Sequence, residues 1–227
     1  MARAPLGRFI DRYTIEYVRT YPHPIERVWA AISGPAQMSA WFAPITFEPR
    51  LGGAYRALWE GEDTMFQGVI TAFEPPRLLR FGGPHPGADA MWQFRLEPAE
   101  GGTRLTFTQC IPPGHDTLAH WPLDPPESPP DTPWRPGTLS GWHEALDALG
   151  QTLGGRTFDH PSPDESPLIE AYRELMRTQM PRRRPSPAAA APSGDAEAAR
   201  CSFVGCSRIM AARIAQATAR LTSGQPW

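Results

Sequence analysis

Residues 45–111 constrain the fold of this 227-residue chain more than any other stretch. Six short runs rich in β-branched, aromatic and aliphatic residues follow one another there: Ile45–Glu48, Ala54–Glu60, Thr64–Phe73, Leu78–Gly82, Ala90–Glu97 and Thr103–Ile111. Turn chemistry separates them: Leu51-Gly52-Gly53, Glu60-Gly61-Glu62-Asp63, Glu74-Pro75-Pro76, a Gly/Pro stretch over 82–88, and Glu100-Gly101-Gly102. Short strands at this spacing predict an antiparallel meander. In two runs the alternation is clean. Trp92, Phe94 and Leu96 oppose Gln93 and Arg95, and Leu105, Phe107 and Gln109 oppose Arg104, Thr106 and Thr108. Side chains alternate faces along a strand, so each of these strands has one apolar face.

The flanks supply the cover. Tyr13–Tyr21 has strand composition and ends at Pro22 and Pro24. Pro24–Ser33 predicts a helix, with Ile25, Val28, Trp29 and Ile32 on one face. Pro35–Phe42 predicts a second short helix, closed by Pro44. Gly137–Gly154 carries Leu139, Trp142, Leu146, Leu149 and Leu153 every three or four residues, which is an amphipathic helix of about four turns. A sheet with one apolar face must be covered, and this long helix is its natural cover. The order is strand, two helices, six strands, long helix, which is an α+β class.

Beyond it, Leu168–Met180 predicts a further helix with Leu168, Tyr172, Leu175 and Met176 on one face. Residues 181–194 form a Pro/Ala/Arg linker too poor in apolar surface to order itself. Charge shifts at the same point. Residues 1–180 hold 15 Arg and 22 acids, net −7, and residues 181–227 hold 7 Arg and 2 acids, net +5. The expected organisation is a domain over 1–155, a helical extension over 156–180 and a linker and tail over 181–227. In residues 203–221, Met210, Ile214, Ala217 and Leu221 share one helical face; the expectation is a disordered or weakly helical extension, the alternative a basic amphipathic helix for a protein partner or a membrane surface.

With these elements in order, the chain resembles the helix-grip fold of the START-like (SRPBCC) superfamily. Within it, the chain is similar to the bacterial branch named after the activator of heat-shock-protein-90 ATPase. Residues 28–33 (VWAAIS), 41–44 (WFAP), 52–56 (GGAYR), 68–70 (GVI), 74–78 (EPPRL), 102–107 (GTRLTF) and 141–143 (GWH) carry the resemblance, which spans about residues 10–155. It departs from the family pattern in the loop 112–136, with nine prolines in 25 residues, in the tail 181–227, and in Gln109, where many relatives carry His or an acid. The resemblance implies a curved antiparallel sheet wrapped around a long C-terminal helix, enclosing an apolar space. It implies a small hydrophobic molecule as the partner. The candidate lining is Trp41, Phe42, Tyr55, Trp59, Phe66, Trp92, Phe94, Phe107, Gln109, Trp142 and Leu146, with Tyr55 and Gln109 as polar anchors. The competing expectation is that the same aromatic rings simply fill a core.

Other chemistries are weaker. No strand places a carboxylate on its apolar face. His143 and Glu144 sit beside the stripe of the long helix, where a solvated flank is expected. An aromatase/cyclase-like enzyme would have to use Gln109, Tyr55 and His143, so no catalytic residues are assigned. His115, Asp116, His120 and Asp124 lack the tight spacing of a zinc site, and Cys201 and Cys206 have no second pair. No metal or other cofactor is expected. There is no Gly-x-Ser-x-Gly and no lysine, hence no Walker loop. A net charge of −2 argues against a nucleic-acid partner. No run approaches the roughly 18 apolar residues of a membrane span, and the N-terminus lacks a continuous apolar signal core. Three cysteines fit a reducing compartment, so the expected location is cytoplasmic. The leading expectation is non-catalytic sequestration or sensing of an apolar ligand. A cyclase-like enzyme and a co-chaperone-like interaction module are the alternatives.

Overall fold

In the computed structural model the described residues are 4–57, 66–83, 91–111, 134–157 and 167–179, with Phe66 described in its backbone alone. The chain divides into Met1–Met180 and Pro181–Trp227, and the second unit lies outside the described residues.

The elements are β1 (Arg8–Asp11), β2 (Thr14–Tyr21), α1 (Ile25–Ser33), α2 (Pro35–Ser39), β3 (Ile45–Phe47), β4 (Ala54–Ala57), β5 (Phe66–Glu74), β6 (Leu78–Gly82), β7 (Met91–Ala99), β8 (Gly102–Cys110), α3 (Pro136–Leu153) and α4 (Ile169–Gln179). The strands form one open sheet in the order β1-β2-β8-β7-β6-β5-β4-β3, antiparallel throughout. This is the helix-grip α+β fold that the resemblance implied. β2 closes against the last strand rather than the next one, pairing Thr14 with Cys110 through Tyr21 with Thr103. Gly102 makes that closure possible. Its φ is +154°, and a Cβ there would lie 2.0 Å from the Tyr21 carbonyl oxygen.

The alternation read in β7 and β8 is present. Trp92, Phe94, Leu96, Leu105, Phe107 and Gln109 are all buried on one face. β2 adds Ile15, Tyr17, Arg19 and Tyr21 to it. Helix α3 lies over this face, and two tyrosines fix it along β2. Tyr17 Oη donates to the Leu139 carbonyl at 2.9 Å, and Tyr21 Oη to the Leu146 carbonyl at 2.7 Å. At the far end Arg27 donates to the Leu153 carbonyl at 2.6 Å, tying α3 to α1.

Four differences from the sequence reading have physical causes. First, the sheet has eight strands, not seven. β1 was not expected because its four residues show no alternation; it forms because Asp11 Oδ1 accepts the Tyr13 N–H at 2.7 Å and turns the chain back within two residues. Second, the second helix ends at Ser39 instead of Phe42. Ser39 Oγ donates to the Pro35 carbonyl at 2.9 Å and accepts the Ile45 N–H at 3.1 Å, which redirects the chain. Third, Cys110, whose small side chain on the last strand suits a core position, is only half-buried, on the opposite side of β8 from Gln109. Fourth, α3 is buried on two faces. Besides the leucine stripe, Ser140, His143, Ala145 and Ala148 are buried. The added cover is α4, whose Tyr172, Leu175 and Met176 pack into the core together with Leu168 just before it.

Candidate functional site

The meander brings the aromatic residues of β4, β6, β7 and β8 to one side, and the turn after α2 and helix α3 bring Trp41, Phe42 and Trp142 down onto them. Trp142 is the hub. It stacks on Phe42 at 4.9 Å with an 11° interplanar angle. It meets Trp92 edge-on at 5.3 Å and Phe107 at 4.2 Å. Phe42 also meets Trp92 at 5.6 Å, Tyr55 meets Trp92 at 5.5 Å, and Phe94 joins Phe107 at 4.9 Å and Trp41 at 6.2 Å. Trp41 is anchored by its Nε1–H on the Ala31 carbonyl at 3.0 Å.

Burial sorts these rings. Trp41, Phe94 and Phe107 are fully buried, whereas Trp142, Trp92, Tyr55 and Phe42 keep 4, 5, 6 and 8 % of their surface exposed. The inner rings are core. The outer four are core residues too, and form the edge of the aromatic cluster. Leu146 is fully buried beside Tyr21. Of the remaining expected lining residues, Trp59 lies outside the described residues, and Phe66 is placed only as the β5 partner of Ala57.

The two polar anchors differ. The Tyr55 hydroxyl is already used, donating to the Gly82 carbonyl at 2.8 Å, and burial pushes its ionisation far above the ordinary tyrosine range. Gln109 is 2 % exposed, and its Oε1 has no hydrogen-bond partner. Its strand neighbours are Ile15 on β2 and Trp92 on β7.

A second cluster was not anticipated. His143, expected on a solvated flank, is fully buried, because α4 lays Tyr172 against it. The Tyr172 oxygen accepts the Gly7 N–H at 3.2 Å and shares a second hydrogen bond with His143 Nδ1 at 2.9 Å. His143 Nε2 lies 3.4 Å from Asp147 Oδ2, within electrostatic reach but outside hydrogen-bond geometry. Arg19 Nε donates to Asp147 Oδ1 at 3.1 Å, and Arg19 Nη1 to the Pro5 carbonyl at 3.0 Å. Burial raises the Asp147 carboxyl, but His143 and Arg19 together outweigh it and hold the group below the ordinary carboxylate value. Burial also pushes Tyr172 up to about 12. The cluster ties residues 5–7, β2, α3 and α4 together. Its sequence signals were Tyr172 on the apolar stripe of α4, which needed a surface to cover, and Arg19 on the inner face of β2. Trp134 was also missed. It is fully buried, and its Nε1–H donates to the Arg12 carbonyl at 2.9 Å, fixing the start of α3 on the β1–β2 turn.

Among the described residues there is no group of three or more His, Cys, Asp or Glu able to hold a metal ion. His115, Asp116, His120, Asp124, Cys201 and Cys206 lie outside them. No helix among the described residues is long and apolar enough to cross a membrane.

Residues 22–154 match the family model described as activator of Hsp90 ATPase homolog 1-like protein. The chain belongs to this family. The match covers more than half of the sequence and takes in α1 through α3. It leaves out β1, β2 and α4, so the buried polar cluster joins family and non-family segments. Among solved structures, the solution structure of CalU16 from Micromonospora echinospora is 23% identical, covers 78% of this chain and 92% of its own, and has a TM-score of 0.50. A crystal structure of a Mesorhizobium loti protein is 22% identical over 64% of this chain and 99% of its own, with a TM-score of 0.49. The likeness to CalU16 concerns the fold alone. No curated protein matches the chain. The family's START-like architecture is one that forms hydrophobic pockets between sheet and helix.

Proposed function

We propose that the protein binds a small hydrophobic molecule, without transforming it, against the aromatic edge formed by Phe42, Tyr55, Trp92 and Trp142. The carrying observation is the buried Gln109 carbonyl without a donor on the same inner face. Pockets of this kind pair apolar walls with a few polar groups that orient the ligand. Trp41, Phe94, Phe107 and Leu146 support the wall from behind, and Trp59 and Phe66 complete the proposed lining. Sequestration or sensing in the cytoplasm is the role this serves. The tail 181–227 is the segment we assign to a protein partner.

A cyclase-like enzyme is less favoured. Two of its three candidate groups are committed elsewhere: Tyr55 donates to a backbone carbonyl, and His143 is held by Tyr172. The co-chaperone role suggested by the family's name would depend on surface residues and leave the aromatic edge indifferent to substitution.

Indole N–H resonances test the proposal. Titrating the full chain with 2-naphthol should move the signals of Trp92 and Trp142. The signals of Trp41 and Trp134, whose N–H groups are held by the Ala31 and Arg12 carbonyls, should stay in place. A titration that leaves Trp92 and Trp142 unmoved refutes binding at this edge.

A further inference from the structure

Four buried polar atoms among the described side chains have no hydrogen-bond partner: Arg19 Nη2, Gln109 Oε1, His143 Nε2 and Thr152 Oγ1. Three of them have a local account. Arg19 and His143 both face the Asp147 carboxylate, at 3.1 and 3.4 Å from their nearest nitrogens, so a charge compensates them. Thr152 lies in the last turns of α3, where a threonine hydroxyl reaches the carbonyl four residues back by turning its side chain.

Among the described residues Gln109 has no such neighbour. Its inner-face surroundings on the sheet are Ile15, Trp92 and Phe107. The tyrosine hydroxyls of that region are spent, Tyr17 on Leu139 and Tyr55 on Gly82. The buried cation of this face, Arg19, pairs with Leu105, four residues along β8 and about 13 Å away at strand spacing. Its charge is met by Asp147. A buried carbonyl without a donor is destabilising, and native proteins keep few of them. A leucine of similar size would fill the space without that cost.

We infer that Gln109 selects the ligand: the site takes an uncharged apolar molecule that carries a hydroxyl or N–H donor, and that donor completes the Gln109 Oε1. This rests on the binding function proposed above and narrows its ligand class. A rigid aromatic body suits the edge of stacked rings, and a neutral donor suits an acceptor with no unpaired charge beside it among the described residues. A fatty acid or other anion would set a negative group against the Gln109 carbonyl oxygen.

Three probes of one ring system test this on the full chain. 2-Naphthol has a donor, 2-methoxynaphthalene offers only an acceptor, and naphthalene has neither. Equilibrium dialysis of each against wild type and Gln109→Leu measures the affinities. One hydrogen bond in a buried site corresponds to about a tenfold change in affinity. The expected result is that the ratio of 2-naphthol to 2-methoxynaphthalene affinity falls by about tenfold in Gln109→Leu, while naphthalene binds both proteins equally. The unliganded variant should melt no lower than wild type. Gln109→Met, which keeps the length and flexibility of the side chain, should give the same ratio if the leucine variant folds poorly. An unchanged ratio in both variants, or wild type preferring 2-methoxynaphthalene, overturns the selection by Gln109 and leaves the binding function standing. If none of the three probes binds wild type, the binding function itself fails.

Discussion

Replacing Tyr172 with phenylalanine removes one oxygen and strands two buried groups. The Gly7 N–H, 3.2 Å from that oxygen, loses its acceptor, and His143 Nδ1, 2.9 Å away, loses its hydrogen-bond partner. The ring remains, so packing against Tyr17 at 6.4 Å and His143 at 5.9 Å is kept. A buried polar group left unpaired costs about 1–3 kcal/mol, so the two together cost about 2–6 kcal/mol. For a structured unit of this size, each kcal/mol lowers the melting temperature by about 2–4 °C. Urea unfolding followed by circular dichroism gives the number directly. The midpoint should fall with the slope unchanged, because the folded state buries the same surface. The double variant Tyr172→Phe/His143→Leu removes both partners of one bond and should recover part of the loss, since replacing both by apolar groups can be nearly neutral. A Tyr172→Phe unfolding free energy within about 0.5 kcal/mol of wild type, the range of ordinary surface substitutions, would mean that the hydroxyl is solvated and α4 is not docked on His143.

Three further outcomes follow from the same geometry. Trp142→Ala removes the hub of the aromatic network and should cost about 3–5 kcal/mol in chemical denaturation; a folded variant of unchanged stability would place Trp142 outside the core. Tyr17, Tyr21, Tyr55 and Tyr172 all have ionisations raised chiefly by burial. Their folded values lie above the unfolded value of about 10, so their stabilisation is complete below pH 10 and is lost as pH rises further. Tyrosinate absorbance of these four should therefore appear together with loss of structure, and four separate titrations in the folded protein would contradict their placement. Asp147 works in the opposite direction. Its folded value is depressed, so its contribution is present above about pH 4 and is lost as pH falls through the folded value. Asp147→Asn should flatten the acid side of the stability profile, and an unchanged acid slope would remove the ion pair with Arg19 from the account.

The sheet and its cover were legible because they depend on periodicity. β6 appears with the bounds that its flanking turns dictate, and β8 is shifted by a single residue at each end. The inward set of Trp92, Phe94, Phe107 and Gln109 follows from a period of two, which one register settles for the whole strand. What stayed hidden depends on partners distant in sequence. The Tyr55 hydroxyl bonds a carbonyl 27 residues away, and Tyr172 bonds an N–H 165 residues away. No local pattern announces either. His143 was misplaced for a related reason. One apolar stripe predicts one buried face, and the second face of α3 exists only because α4 and the N-terminal segment fold back over it. Arg19 interrupts an otherwise apolar inner face, which was a readable sign of a buried ion pair, although Asp147 could not be named as its partner from spacing.

Native mass spectrometry of the freshly purified full-length protein, set beside its denatured mass and repeated with excess 2-naphthol, tests the central claim most directly. The account predicts a non-covalent adduct of small-molecule size, lost on denaturation and either displaced by 2-naphthol or, in protein purified empty, replaced by one bound 2-naphthol. A bare mass before and after the addition would contradict it and leave the aromatic rings as a filled core.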